Sequence, residues 1–95
     1  MESCKPLADF YEAIEDDSRI GSSHISVYMA LMVISGIGSG SNPFFTYRGE
    51  IIQRARISRR TYNKCMRELQ EFGFIKYEPS SDPARPSKVC LNKLV

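Results

Sequence analysis

Apolar residues first recur at helical spacing near the start of the chain. Leu7, Phe10, Tyr11 and Ile14 fit the i, i+3, i+4, i+7 pattern of one helix face, with Asp9, Glu12, Glu15 and Asp16 on the other. Pro6 suits a first helical turn, so a helix is predicted from about Pro6 to Asp17, broken by Asp17-Ser18 and Gly21. A second helix is expected from His24 to about Ile37, capped by Ser22-Ser23 and ended by Gly36. Its Ile25, Val27, Tyr28, Met29, Leu31, Met32, Val33 and Ile34 leave almost no polar face, which marks a helix that is buried or shared with a partner. His24, in its first turn, is expected to act as a local cap or surface residue rather than as a ligand.

The pattern changes at Gly36 to Pro43, a glycine-rich connector. No strand precedes it and no Gly-Lys-Ser/Thr ends it, so it is no phosphate-cradling loop. Phe44-Phe45 reads as extended chain against the core, in the form of a short strand. Thr46 then looks like the cap of a third helix, Tyr47 to about Arg56, with Ile51, Ile52 and Ala55 inward. After Ile57, Ser58 caps a fourth helix that runs to Phe72 and stops at Gly73. Residues 74–78 alternate like a strand with Ile75 and Tyr77 on one face. A proline-rich loop follows, and Lys88 to Asn92 returns with Val89 and Leu91 inward. The expected fold is mostly α with a small β-hairpin: one domain over 1–95, divided into N-terminal helices (1–38), a helix-turn-helix (44–73) and a wing hairpin (74–92).

Charge sharpens this picture. The net charge of +2 hides a split: residues 1–46 carry two basic side chains against six acidic ones, and residues 47–95 carry eleven against five. Such asymmetry suggests that the second half meets a polyanion. On a helical wheel of the fourth helix, Tyr62, Cys65, Met66, Leu69 and Phe72 share one side. Arg60, Asn63, Lys64 and Arg67 share the other, with Arg59 and Thr61 flanking them in the first turn. Glu68 and Glu71 come only in the last turns. A recognition helix has this polarity, because its N-terminal residues enter the major groove. Arginine can pair with guanine O6/N7 and asparagine with adenine N6/N7. The bland alternative is an ordinary amphipathic helix with a solvated basic face. The wing tip, Ser80 to Lys88, carries Arg85 and Lys88 and is stiffened by Pro83 and Pro86, which suits backbone or minor-groove contact.

The run Ile57-Ser-Arg-Arg-Thr-Tyr-Asn-Lys-Cys-Met-Arg-Glu-Leu-Gln-Glu-Phe-Gly-Phe-Ile75 resembles the recognition-helix signature of winged-helix bacterial transcription regulators. Ser58, Tyr62, Cys65-Met66, Leu69, Gly73 and Ile75 occupy its cap, apolar and turn slots; Tyr62 stands where a smaller aliphatic is usual. The chain, including Asp9-Phe-Tyr and Ser23-His-Ile-Ser-Val-Tyr-Met-Ala-Leu31, is also similar to small winged-helix proteins of Bacteroides-type bacteria, some carried on mobile elements. The resemblance implies a winged helix-turn-helix that binds double-stranded DNA, as a transcriptional regulator. The expected contacts are Arg59, Arg60, Thr61, Asn63, Lys64 and Arg67 in the major groove, Ser58 at the DNA beside them, and Arg85 and Lys88 on the wing at the backbone or minor groove. Thr46 and Tyr47 are expected at phosphates through backbone N–H groups. The alternative is a protein-interaction, replication or mobile-element accessory module on the same fold.

The remaining chemistry argues for no enzyme, no metal and no cofactor. Cys4, Cys65 and Cys90 have no zinc-site spacing, and His24 is the sole histidine. Reduced structural thiols are expected, and no constrained triad can be assembled. Tyr62, on the apolar side of its helix, is expected in the core rather than as a nucleophile. The longest apolar run, Val27 to Ile34, is eight residues, too short for a membrane span, and the acidic N-terminal stretch is no leader, so a cytoplasmic protein is expected. A homodimer held by the first two helices is expected from the excess apolar surface of the second; the competing reading is a monomer with that helix at its centre.

Overall fold

The computed structural model describes residues 5–37, 42–82 and 84–93. Four helices, α1 (Lys5–Ile14), α2 (Ser22–Ile37), α3 (Arg48–Ala55) and α4 (Arg59–Glu71), combine with strands β1 (Phe44–Thr46), β2 (Ile75–Glu78) and β3 (Ser87–Leu91). The strands form one antiparallel sheet in the order β1-β3-β2. The expected hairpin is β2–β3, and β1 joins it as a third strand: Phe44, Phe45 and Thr46 lie opposite Val89, Lys88 and Ser87. Asn42 extends this ladder with a side chain. Its amide accepts from the Leu91 N–H and donates to the Leu91 carbonyl, both at 2.8 Å, as a further strand residue would.

Packing follows the patterns that form the elements. Phe10 of α1 is fully buried, stacked on Tyr28 of α2 with ring centroids 3.9 Å apart. Val27 and Leu31 from α2, Ile51 from α3, Met66 and Leu69 from α4 and Ile75 and Val89 from the sheet complete the core. Cys65 is a buried free thiol on α4 and Cys90 a half-buried one on β3; Cys4 lies outside the described residues. Burial pushes the Cys65 thiol up from its ordinary pKa, so it packs as a small hydrophobe.

Several boundaries differ from the sequence expectation. α1 ends at Ile14 rather than Asp17: the Glu15 and Asp17 N–H groups bond only three residues back, and Asp17 holds Arg19 with two side-chain bonds of 2.8 and 2.7 Å. Ser22 and Ser23 lie inside α2 and do not cap it. The cap is a reciprocal arrangement at Gly21: its carbonyl accepts from the Ile25 N–H, and its N–H donates to His24 Nδ1 at 3.0 Å. His24 thus does the back-bonding that Glu or Gln does in a capping box. It is also buried, so only the capping half of the expectation holds. Gly36 does not end α2, which continues to Ile37. Thr46 does not cap α3. It is buried in β1, and the N-cap is Tyr47, one residue later.

At α4 the local signals hold. The Ser58 hydroxyl accepts from the Thr61 N–H at 3.1 Å. Gly73, at φ +87°, closes the helix: the Gly73 N–H reaches the Gln70 carbonyl and the Phe74 N–H the Leu69 carbonyl, the paired bonds of a Schellman turn. Gln70 also accepts from the Tyr77 N–H of β2 at 2.6 Å. Between α3 and α4 the chain turns through Arg56, which is left-handed at φ 57°, ψ 50°.

Candidate nucleic-acid interface

α4 is amphipathic, and its two sides are separated by burial. Tyr62, Cys65, Met66 and Leu69 are buried, while Arg59, Arg60, Asn63, Lys64 and Arg67 are exposed. Arg60, Lys64 and Arg67 follow the i, i+4, i+7 stripe, about 10 Å long at 1.5 Å per residue. A major groove about 12 Å wide admits such a helix. Thr61 is half-buried beside the cap, its hydroxyl accepting from the Ser58 hydroxyl at 3.0 Å, and Ser58 is exposed.

These cations stand without acidic partners, as Arg48, Arg56, Lys76 and Lys93 also do among the described residues; their clustering on one helix face sets them apart. Among the described residues, Arg59, Arg60, Lys64 and Arg67 make no ion pair and no side-chain hydrogen bond, whereas Arg19, Arg54, Arg85 and Lys88 each have an acidic partner. Arg59 and Arg60 also occupy the first turn of α4, where no acidic residue offsets them. The positive end of a helix disfavours cations there, by about 0.3–1 kcal/mol each at a surface site. Folding alone gives no reason for this placement; an anion brought to the helix N-terminus does. At the far end Glu68 turns inward, its carboxylate accepting from His24 Nε2 at 2.9 Å.

The start of α3 adds a second set of donors. Tyr47 is extended and makes no side-chain cap bond. The Tyr47 carbonyl accepts from Glu50 and Ile51. The N–H groups of Arg48 and Gly49 therefore precede the first intrahelical bonds. Gly49 is exposed, with nothing within 4 Å of where a Cβ would stand. Arg48 is half-buried at this helix start. Sequence reasoning chose Thr46 and Tyr47 here and passed over Arg48 and Gly49; a cap placed one residue later would have found them. Thr46 is 2% exposed and donates to Glu50 at 3.3 Å, so its side chain is withdrawn from the surface.

The loop between β2 and β3 is held by its own polar groups. Ser80 donates to the Asp82 carbonyl, Asp82 accepts from the Ala84 N–H, and the Ser80 N–H donates to Ser87. Arg85 is the cation of this loop, 82% exposed and 3.9 Å from Asp82. Lys88, expected both at the end of the wing tip and as the first residue of the returning strand, belongs to the strand. It lies within β3 opposite Phe45, 3.6 Å from Glu78, because β3 begins at Ser87. Both pairs are exposed and weak, so an incoming phosphate can compete for the two cations.

Tyr62 is 1% exposed and donates to the Tyr77 hydroxyl at 2.9 Å. Burial, then that bond, pushes its phenol far above the ordinary value, so it offers no ready nucleophile. Among the described residues no three His, Cys, Asp or Glu side chains gather to hold a metal ion, and no helix is long and apolar enough to cross a membrane. Comparison of the chain with protein-family models, curated proteins and solved structures found no match.

Proposed function

We propose that this chain is a winged-helix protein that binds double-stranded DNA and acts as a transcriptional regulator in the bacterial cytoplasm. The observation that carries the reading is the exposed face of α4, whose four cations are unpaired and include two at the helix end that disfavours them. Residues that break a local stability rule without internal compensation mark functional surfaces. In this reading α4 lies in the major groove, with Arg60, Asn63, Lys64 and Arg67 at base edges or flanking phosphates and Arg59 and Thr61 at its entry. The Arg48 and Gly49 N–H groups take a phosphate at the start of α3. Arg85 follows the backbone or minor groove from the β2–β3 loop, and Lys88 contributes from the sheet edge of that loop.

Filter binding of a duplex selected from a random pool, titrated against salt, tests the proposal. The logarithm of the binding constant should fall by about 0.9 per decade of salt for each phosphate neutralised. Arg60→Ala with Lys64→Ala should keep the fold and remove discrimination worth about 1–3 kcal/mol per lost bidentate base contact. No measurable affinity for any duplex at low salt refutes DNA binding and favours a protein-partner module. Wild-type binding by the double variant moves the reading surface away from α4.

A further inference from the structure

β1 sends its two phenylalanines to opposite sides. Phe44 is buried in the core, and Phe45 is 64% exposed. The alternation continues past the strand: Thr46 is buried, and Tyr47, still extended at φ −92° and ψ 140°, is 49% exposed. Phe45 and Tyr47 thus share the outer side of the sheet, two residues apart, about 6.6 Å at the rise of an extended chain. Cations border both rings. Lys88 lies opposite Phe45, and Lys76 is exposed on the same side, opposite Cys90 two residues further along β3. Thr46 lies opposite Ser87, so the chain reaches Tyr47 where β3 gives way to the loop that carries Arg85. Arg48 follows Tyr47 directly. Lys88 and Arg85 have carboxylates nearby, Glu78 at 3.6 Å and Asp82 at 3.9 Å. Arg48 and Lys76 make no ion pair among the described residues, which leaves the strip positive.

We propose that this strip holds a single strand of DNA, with one base stacked on Phe45, the next on Tyr47, and their phosphates on Lys88 and Arg85. Spacing is the first support. Bases along one strand of a duplex are about 3.4 Å apart. Rings about twice that distance apart take bases that have left each other's stack, which an unpaired strand supplies and a duplex does not. The surroundings are the second. The side chains beside the rings on the sheet are Lys76, Glu78 and Lys88, with Cys90 half-buried among them. A protein partner's contact has an apolar centre, which this face lacks; aromatic faces set among cations instead suit bases and phosphates of any sequence. Third, Thr46 turns inward, so no side chain between the rings meets a ribose 2′-hydroxyl, the group by which proteins select RNA. The strip shares no residue with α4 and does not rest on the duplex reading, although Arg85 and Lys88 figure in both.

Fluorescence anisotropy of an end-labelled oligothymidylate of about 12 residues, titrated with the full chain at low salt, tests this. Phe45→Ala with Tyr47→Ala should raise the dissociation constant by about fivefold or more per ring, the loss of one stacked base each. Both rings are exposed and the Tyr47 side chain makes no cap bond, so the fold survives the change; if the circular-dichroism melt shows otherwise, Phe45→Ala alone is read. The chain has no tryptophan, so Phe45→Trp gives a sole indole, whose emission a stacked base should quench at saturation. No measurable affinity for the oligothymidylate overturns the proposal, as does wild-type affinity in the alanine variant or an unquenched indole. Tighter binding of oligouridylate overturns the assignment to DNA. The same variants titrated with a selected duplex separate the two readings. A loss confined to the single strand supports this site, and an equal loss on both substrates overturns it. A chain that binds oligothymidylate but no duplex defeats only the regulator.

Discussion

Replacing His24 should cost far more than its place in a first helical turn suggests. A backbone N–H can only donate, so His24 Nδ1 must accept from Gly21, and the ring proton sits on Nε2, where it is donated to Glu68. One imidazole therefore caps α2 and ties it to the last turns of α4, 44 residues along the chain. Loss of a cap bond costs about 1 kcal/mol. A hydrogen bond to a charged acceptor is worth about 1.5–3 kcal/mol when well shielded. Here the two side chains are 11% and 23% exposed, so the lower end applies. His24→Ala should then destabilise by about 2–3 kcal/mol, a large share of the roughly 5–14 kcal/mol expected for 95 residues. Urea unfolding followed by circular dichroism reads this as a lower midpoint at unchanged slope. A double-mutant cycle with Glu68→Ala should return a coupling of about 1–2 kcal/mol. A His24→Ala loss under about 0.5 kcal/mol, or a cycle that closes to zero, would show that the two bonds contribute nothing net and that the helices are held by apolar packing alone.

Three further outcomes follow from backbone and charge. Gly73 sits at φ +87° with open space around it, so Gly73→Ala should cost about 1–2 kcal/mol through backbone strain alone, read in the same urea melts. Arg56 holds a left-handed conformation with a side chain attached; Arg56→Gly should raise stability by about 0.5–1 kcal/mol, and a loss would mean that its side chain is needed in the fold. The Asp17 carboxyl is held at about 2 by its bond to Arg19, below its ordinary 3.8. A depressed folded pKa stabilises above the unfolded value and is lost as pH falls through the folded one. Asp17→Asn should therefore lower the melting temperature above about pH 4 and match wild type near pH 2.

What the sequence made legible was local. Ser58 and Gly73 announce the ends of α4 within three or four residues of the groups they satisfy, and the alternation at Ile75, Tyr77, Val89 and Leu91 sets the hairpin faces. The sidedness of α4 was readable for the same reason, since a wheel needs only consecutive residues. What escaped was settled by distant partners. Nothing near Phe44 announces that it will pair with Val89, or that Asn42 will bond Leu91 49 residues away. Without that pairing, Thr46 reads as a cap and Phe45 as core, whereas pairing with β3 buries Thr46 and leaves Phe45 64% exposed. Tyr11 likewise fits the apolar face of α1 in sequence, yet it is 45% exposed.

The bond from Gln70 to the Tyr77 N–H bears on how this chain behaves when crowded with its own kind. β2 is an outer strand, and an outer strand offers unpaired backbone groups to any extended chain that drifts alongside. Tyr77 lies opposite Val89 in the ladder, and its amide points away from β3, into the Gln70 carboxamide at 2.6 Å. An added strand would have to displace that side chain before forming its own bond there. On the opposite rim β1 spans three residues, too few to template a long pairing. The sheet is thus closed to fibril-like growth from both sides by very little material: one glutamine and one short strand.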